Sequence, residues 1–254
     1  MELTIALNRY DRHVPFFNGT IDPPDGITLK PLEVGESMPY RDGTNRHDRL
    51  LNDQEFDIGE MGLTSFVMSV ARDPKLPIVG IPSFPRRFFS AGQIYVNLET
   101  GIESPKDLAG KRIGVHSFQT TLSVLAKGDL KLEHGIRWED IDWYCMREEP
   151  VPVEFGDDVS VQVIGPDQDI GVMLMEGKID ALISPQPRQS MLEAPHRYKR
   201  LYEDPKSEEI RYFKKYGFYP IMHIMTLKRE LADAKPELPR ALMDMYEAAK
   251  IMAY

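Results

Sequence analysis

Cysteine is almost missing from this chain. A single Cys145 in 254 residues excludes an internal disulfide and any zinc site built on cysteine pairs. Basic charge is also short, with 31 Lys and Arg against 40 Asp and Glu. The formal net charge of -9 leaves no cationic surplus to release counterions, which disfavours nucleic acid and anionic membrane surfaces as partners. An anionic ligand would need a local Arg cluster instead. No apolar run reaches the roughly 20 residues of a membrane span, so no membrane-spanning segment is expected. The first residues, MELTIAL, read as a strand with no basic leader or apolar signal core before them, which sets a cytoplasmic expectation. Glycine-rich phosphate loops, Gly-x-Ser-x-Gly and His-Glu-x-x-His are all absent, which disfavours nucleotide binding, serine hydrolysis and helix-borne zinc.

What is present is an alternation of short apolar strands and helices with polar residues at the joints. The clearest unit is 108–125, LAGKRIGVHSFQTTLSVL. Residues 111–115 read as a buried parallel strand, and Ser117, Gln119, Thr120 and Thr121 follow at once, ahead of the apolar positions of a helix. Ser117 or Thr120 can cap that helix, whose first N–H groups and positive dipole end suit a carboxylate or phosphate. An ordinary capped helix that binds nothing is the plainer alternative.

The first strand, 3–7, opens into Asn8, Arg9, Tyr10, Asp11, Arg12 and His13, a polar set at a strand's carboxyl end, where open α/β sheets place ligands. A solvated loop reads equally well. Residues 45–51 could form a short helix capped by Asn45 and carrying Arg46, His47 and Arg49, a charge run more typical of a wet face than of a site. The strand 56–61 ends on Glu60, and Gly62, Thr64 and Ser65 start an apolar helix; Glu60 suits hydrogen bonding to a ligand, or it caps the helix it precedes. Two prolines in PSFPRRFF (82–89) prevent a helix, so Arg86 and Arg87 lie on an extended segment between aromatic rings, able to grip a planar carboxylate. The acidic, Pro-rich stretch 148–163 reads as a surface loop or β-ribbon. His223 stands alone in the apolar run YPIMHIMTL, where a satisfied core histidine is the commoner case. The last helix, 236–253, carries Leu238, Ala241, Leu242, Met245 and Ala249 on one face. Two such blocks flank a crossover near residues 84–97, implying two lobes, 1–92 with 218–254 and 93–217, each a mostly parallel sheet flanked by helices, with a ligand cleft between them.

Several segments together carry a resemblance. RYDRH (9–13), QEFDIGEMGLTSF (54–66), PSFPRRFF (82–89), IYVN (94–97), LAGKRIGV (108–115), EGKIDALIS (176–184) and GFYPIMH (217–223) resemble 4,5-dihydroxyphthalate decarboxylase and its relatives. These are related in fold to type 2 periplasmic binding proteins and to ABC-transporter substrate-binding proteins. LAGKRIGV and EGKIDALIS are shared widely with transporter-type proteins, whereas FDIGEMGLTSF, FPRRFF and YPIMH point to the decarboxylase branch. Ser90 and Ala91 stand where relatives often carry Arg-His.

The resemblance implies decarboxylation of a dihydroxylated aromatic diacid, 4,5-dihydroxyphthalate to 3,4-dihydroxybenzoate and carbon dioxide. It implies a small aromatic carboxylate as partner in the cleft between lobes. It makes Arg12 and Arg87 seats for carboxylates, with Tyr10, Ser65, Ser117, Gln119, Thr120 and Thr121 also lining the substrate, Glu60 an acceptor for a phenol and His223 a proton donor. No cofactor is required by the sequence, and a divalent metal stays possible although His47, Glu60 and His223 lack diagnostic ligand spacing. An oligomer stays possible too. The alternative is an ABC-transporter-type binding protein for a small organic anion or amine.

Overall fold

In the computed structural model, which describes residues 1–34 and 46–254, the apolar runs form strands wherever the sheet is covered. In chain order these are β1 (Glu2–Leu7), β2 (Thr28–Glu33), β3 (Ile58–Gly62), β4 (Ile78–Ile81), β5 (Ile94–Asn97), β6 (Arg112–Val115), β7 (Asp142–Cys145), β8 (Ser160–Val163), β9 (Ala181–Ile183), β10 (Tyr198–Arg200) and β11 (His223–Lys228). The α-helices are α1 (Val14–Phe17), α2 (Arg46–Leu51), α3 (Leu63–Arg72), α4 (Thr121–His134), α5 (Ile170–Met175), α6 (Gln189–Leu192), α7 (Pro205–Tyr216), α8 (Arg229–Ala234) and α9 (Leu238–Ala253). Asn45, expected to cap α2, lies outside the described residues.

The chain divides into two compact units, Met1–Arg87 with Ile221–Tyr254, and Phe88–Pro220. In the first, the strand order is β2-β1-β3-β11-β4. There β1 is parallel to β2 and β3, and β11 runs antiparallel to both β3 and β4. In the second, the order is β10-β5-β9-β6-β7-β8, with β9, β6, β7 and β8 parallel and β5 antiparallel to its neighbours. Each mostly parallel sheet therefore contains one reversed strand. It is the strand by which the chain enters that unit: β5 on the way out, β11 on the way back.

Local chemistry explains where elements stop. Pro220 has no N–H for a ladder, and β11 begins only at His223, later than the apolar run suggested. Thr120 caps α4, its side chain accepting from Ser123 N, and Gly135 ends that helix at φ 73, a left-handed value that favours glycine. The stretch 148–163 is not wholly irregular, since β8 extends the second sheet as an edge strand beside β7.

The core of the first unit lies between its sheet and α9. Leu238, Leu242, Met245, Tyr246 and Ala249 pack with Ile5, Leu7, Ile58, Ile81, Met225 and Leu227. On β3, Gly59 admits α2 closely: a Cβ there would sit 2.7 Å from both δ-carbons of Leu50. That approach carries Arg46, at the start of α2, onto the end of β3.

Leu242 is fully buried in this layer, so Leu242→Ala is expected to lower stability by about 2–5 kcal/mol through lost burial and a residual cavity. Urea unfolding followed by circular dichroism measures it.

Candidate functional site

Strand register brings the two expected catalytic residues together. His223 pairs with Gly62 and Met225 with Glu60 across the β3–β11 ladder, so His223 and Glu60 are diagonal neighbours on one face of the sheet. Their side chains meet, with His223 Nδ1 2.5 Å from Glu60 Oε1. A carboxylate only accepts, so Nδ1 carries the proton and Nε2 is the nitrogen left for chemistry.

Glu60 does not cap the helix that follows it, because α3 has Gly62 at its N-cap position and no side-chain cap. Its second oxygen, Oε2, accepts from Arg46 Nη2 at 3.1 Å. Arg46 also donates through Nε to the Glu60 carbonyl at 3.0 Å and through Nη1 to the Val34 carbonyl. The expectation of a wet face for 46–49 therefore fails at Arg46, which is 2% exposed and spends its whole fork inside the unit. The reason is Gly59, which lets α2 lie against β3.

Tyr10 completes the set. Its hydroxyl accepts from Asn8 Nδ2 at 2.8 Å and lies 3.4 Å from Glu60 Oε1, to which it donates. Burial would raise the Glu60 carboxyl, but Arg46 and then His223 outweigh it and hold that carboxyl well below its ordinary value. His223 goes the other way: burial lowers its pKa, and the neighbouring Glu60 only partly offsets this. Burial, with Glu60 beside it, pushes Tyr10 up to about 12. The resting state is thus an ionised Glu60 matched by Arg46, a protonated Tyr10 and a neutral His223.

The other candidates divide between the two units. Arg12 belongs to the same cluster: its guanidinium lies 4.4 Å from the Tyr10 ring centre, and Nε donates to the Pro85 carbonyl at 2.5 Å. Ser65 is buried in the first turn of α3. Arg87 is exposed, 5.4 Å from the Phe84 ring centre, while its neighbour Arg86 supplies the positive charge felt by His223 and Tyr10. The Arg86 carbonyl also takes the N–H of Met222 and, at 3.3 Å, that of His223. The His47 ring stands perpendicular to His223 at 5.1 Å. Among the described residues no group of three or more His, Cys, Asp or Glu side chains is arranged to hold a metal ion.

Ser117, Gln119, Thr120 and Thr121 lie in the second unit, and the loop just ahead of the expected helix-start seat holds a carboxylate of the chain's own. Glu149 Oε1 accepts from Phe118 N at 2.5 Å and Oε2 from Gln119 N at 3.0 Å. Beneath this loop Lys127 is almost fully buried; Nζ donates to the Phe118 carbonyl at 2.5 Å and sits 2.9 Å from the centre of the Phe118 ring. Burial lowers its pKa to about 7, against the pull of Glu149. Lys127 and Glu149 thus hold the two polar sides of one peptide turn. Neither was legible in the sequence, for no spacing rule joins Glu149 to a helix start some thirty residues earlier.

Among known proteins, no family model matches the chain. A 4,5-dihydroxyphthalate decarboxylase of Comamonas testosteroni is 30% identical over 261 aligned residues, covering 100% of this chain and 76% of that protein. One from Pseudomonas putida is 31% identical over 214, covering 81% and 79%. Solved structures of similar fold include the periplasmic aliphatic sulphonate binding protein SsuA from Escherichia coli, with TM-score 0.61, 13% identity, and 98% of this chain and 72% of that one covered. Another is the alkanesulfonate-binding protein SsuA from Xanthomonas axonopodis pv. citri bound to MOPS, with TM-score 0.57, 15% identity, and coverage of 98% and 72%. At such identities these two establish the fold: the chain has the two-unit α/β architecture of periplasmic binding proteins. No helix among the described residues is long and apolar enough to cross a membrane.

Two stability measurements check the electrostatics. Arg46→Met strands Glu60 as a buried anion, and is expected to destabilise by about 3–5 kcal/mol at pH 7. That deficit shrinks as pH falls, because a protonated Glu60 no longer needs the guanidinium; urea midpoints at pH 7 and pH 5 read it. For Lys127, folding depresses the pKa, so the native state loses stability as pH falls from about 10.4, the unfolded value, to about 7. The advantage of Lys127→Met over the parent should therefore grow across that window, by of order 4 kcal/mol.

Proposed function

The chain belongs to the 4,5-dihydroxyphthalate decarboxylase family, and from that premise we propose that it removes carbon dioxide from a dihydroxylated aromatic diacid, converting 4,5-dihydroxyphthalate to 3,4-dihydroxybenzoate. The observation that carries the reading is the contact of the buried Glu60 with the partly exposed His223, 2.5 Å apart on adjacent strands, in a chain related throughout its length to such enzymes.

The chemistry follows from the substrate. Each carboxylate-bearing carbon of 4,5-dihydroxyphthalate is para to a hydroxyl-bearing carbon. A proton added at the carboxylate-bearing carbon leaves a cation that the para oxygen stabilises. The carbon–carboxylate bond then breaks, its electron pair restores the aromatic ring, and carbon dioxide departs. One proton is taken up, one carbon dioxide is released, and the second carboxylate remains on the product.

Each residue has a task in this scheme. His223 first takes a proton from solvent at Nε2 and, as the imidazolium, delivers that proton to the ring carbon, while Nδ1–H stays hydrogen-bonded to Glu60, whose negative charge stabilises the imidazolium form. Glu60 is engaged by Arg46, His223 and Tyr10, so it acts by charge and orientation. Arg12 supplies a carboxylate seat, since its fork has five N–H groups and two are committed to Pro85 and Asp11. Arg86 adds positive charge near the acid.

The test incubates the protein with 4,5-dihydroxyphthalate, with and without divalent cation, and follows 3,4-dihydroxybenzoate by chromatography. Product is expected, with His223→Gln and Glu60→Gln each lowering kcat by about 100-fold or more. A proton donor of lowered pKa predicts that kcat/KM rises as pH drops below 6.5, a limb that His223→Gln abolishes. A ligand-induced rise in Tm without product would replace this reading with a solute-binding role.

A further inference from the structure

We propose that His13 is a positioning residue for the Glu60–His223 pair, acting through Asn8 and Tyr10; the functional weight of that pair rests on the decarboxylase reading above.

The chain turns sharply after β1. The Asn8 carbonyl accepts the Tyr10 N–H at 3.0 Å and faces His13 Nδ1 at 2.8 Å. A carbonyl only accepts, so Nδ1 carries the proton, and burial keeps the ring neutral by lowering its pKa. Two donors on one oxygen pin residues 8–10. The Asn8 side chain then donates to the Tyr10 hydroxyl, which leaves that hydroxyl's own proton for Glu60 Oε1. The Tyr10 ring is held from two further directions, by His13 at 5.0 Å and by Arg12 at 4.4 Å.

Packing alone does not account for a histidine here. His13 has no exposed surface, and its Nε2 has no hydrogen-bond partner among the described residues. Its other neighbours are the rings of Phe16 and Tyr246, both packed edge-on. A phenylalanine would fill the same space with no buried polar atom left unmatched. What only the imidazole contributes is the Nδ1–H on Asn8.

The consequence is electrostatic. Tyr10 shares with His223 the oxygen Oε1 of Glu60, so the Tyr10 donor weakens the hold of that oxygen on an imidazolium proton. Freeing Tyr10 makes Glu60 a stronger partner and raises the pKa of His223. The charged and titratable groups around His223 are Glu60 from β3, Arg46 and His47 from α2 and Arg86 from the extended segment, with Tyr10, His13 and Tyr246 grouped around Glu60.

The experiment titrates the His223 imidazole by NMR in the full chain and records the pH profile of kcat in parallel. His13→Phe keeps the ring volume and removes the donor. It should raise the His223 midpoint by about half a pH unit, shift the kcat profile equally and leave KM within about twofold. His13→Asn places an amide N–H where Nδ1 stands and should leave both at parent values. Tyr10→Phe, with His13 intact, should reproduce the upward shift and stands in if His13→Phe does not fold. A folded His13→Phe, or a Tyr10→Phe, in which His223 titrates as in the parent overturns the proposal. Absence of turnover in the parent would instead remove the decarboxylase reading, while the NMR titration would still decide the role of His13.

Discussion

The first unit is arranged around one buried negative charge. Glu60 has no exposed surface, and an isolated carboxylate in such a place would lose its hydration with nothing in return. Arg46 meets the need with a single guanidinium that touches the carboxylate, the Glu60 carbonyl and the Val34 carbonyl, tying the first turn of α2 to the end of β3 and the segment after β2. Such an arrangement is a poor source of net stability, since desolvation of both ions offsets most of their attraction. It is a good source of geometry. With its two oxygens occupied, Glu60 fixes the orientation and tautomer of His223, and the strand register has already put His223 within reach.

The second unit solves a similar problem by opposite means. The amide groups before α4 need an acceptor, and Glu149 supplies it from the stretch after β7. Burial raises the pKa of Glu149 and the two backbone N–H groups work against it, so the carboxylate is anchored by dipoles in place of a cation. Lys127 lies close enough to matter electrostatically but donates to a carbonyl. One unit thus holds its internal anion with a guanidinium, the other with two loop N–H groups just ahead of a helix.

Much of the scaffold could be read from neighbours along the chain. The Thr120 cap, the glycine after α5 and the apolar face of α9 all depend on residues within a few positions of one another. Glu60 and His223 stood out for a related reason, as polar residues in apolar strands. Their partners did not. Arg46 lies fourteen residues before Glu60 in a run of mixed charge, and only the missing Cβ of Gly59 brings it inward. The segment 8–13 showed its polar character but not its order, because which donor faces which acceptor is decided by a turn. The pair Arg86 and Arg87 was ambiguous for a similar reason: adjacent residues on an extended segment point to opposite sides.

The reversed strand β11 sets a timetable. It fills the space between β3 and β4, and Glu60 and His223 are separated by 163 residues of sequence. During synthesis, Arg46 and Glu60 leave the ribosome early, and the pairing edges of β3 and β4 then wait while the whole of Phe88–Pro220 is made. Only when the chain has been extended past Lys228 can the sheet close and the imidazole meet its carboxylate. A nascent or prematurely terminated chain that lacks β11 therefore leaves the facing edges of β3 and β4 unpaired and Glu60 without its imidazole, so loss of that pair and a tendency to stick to other strands arrive together in the same incomplete product.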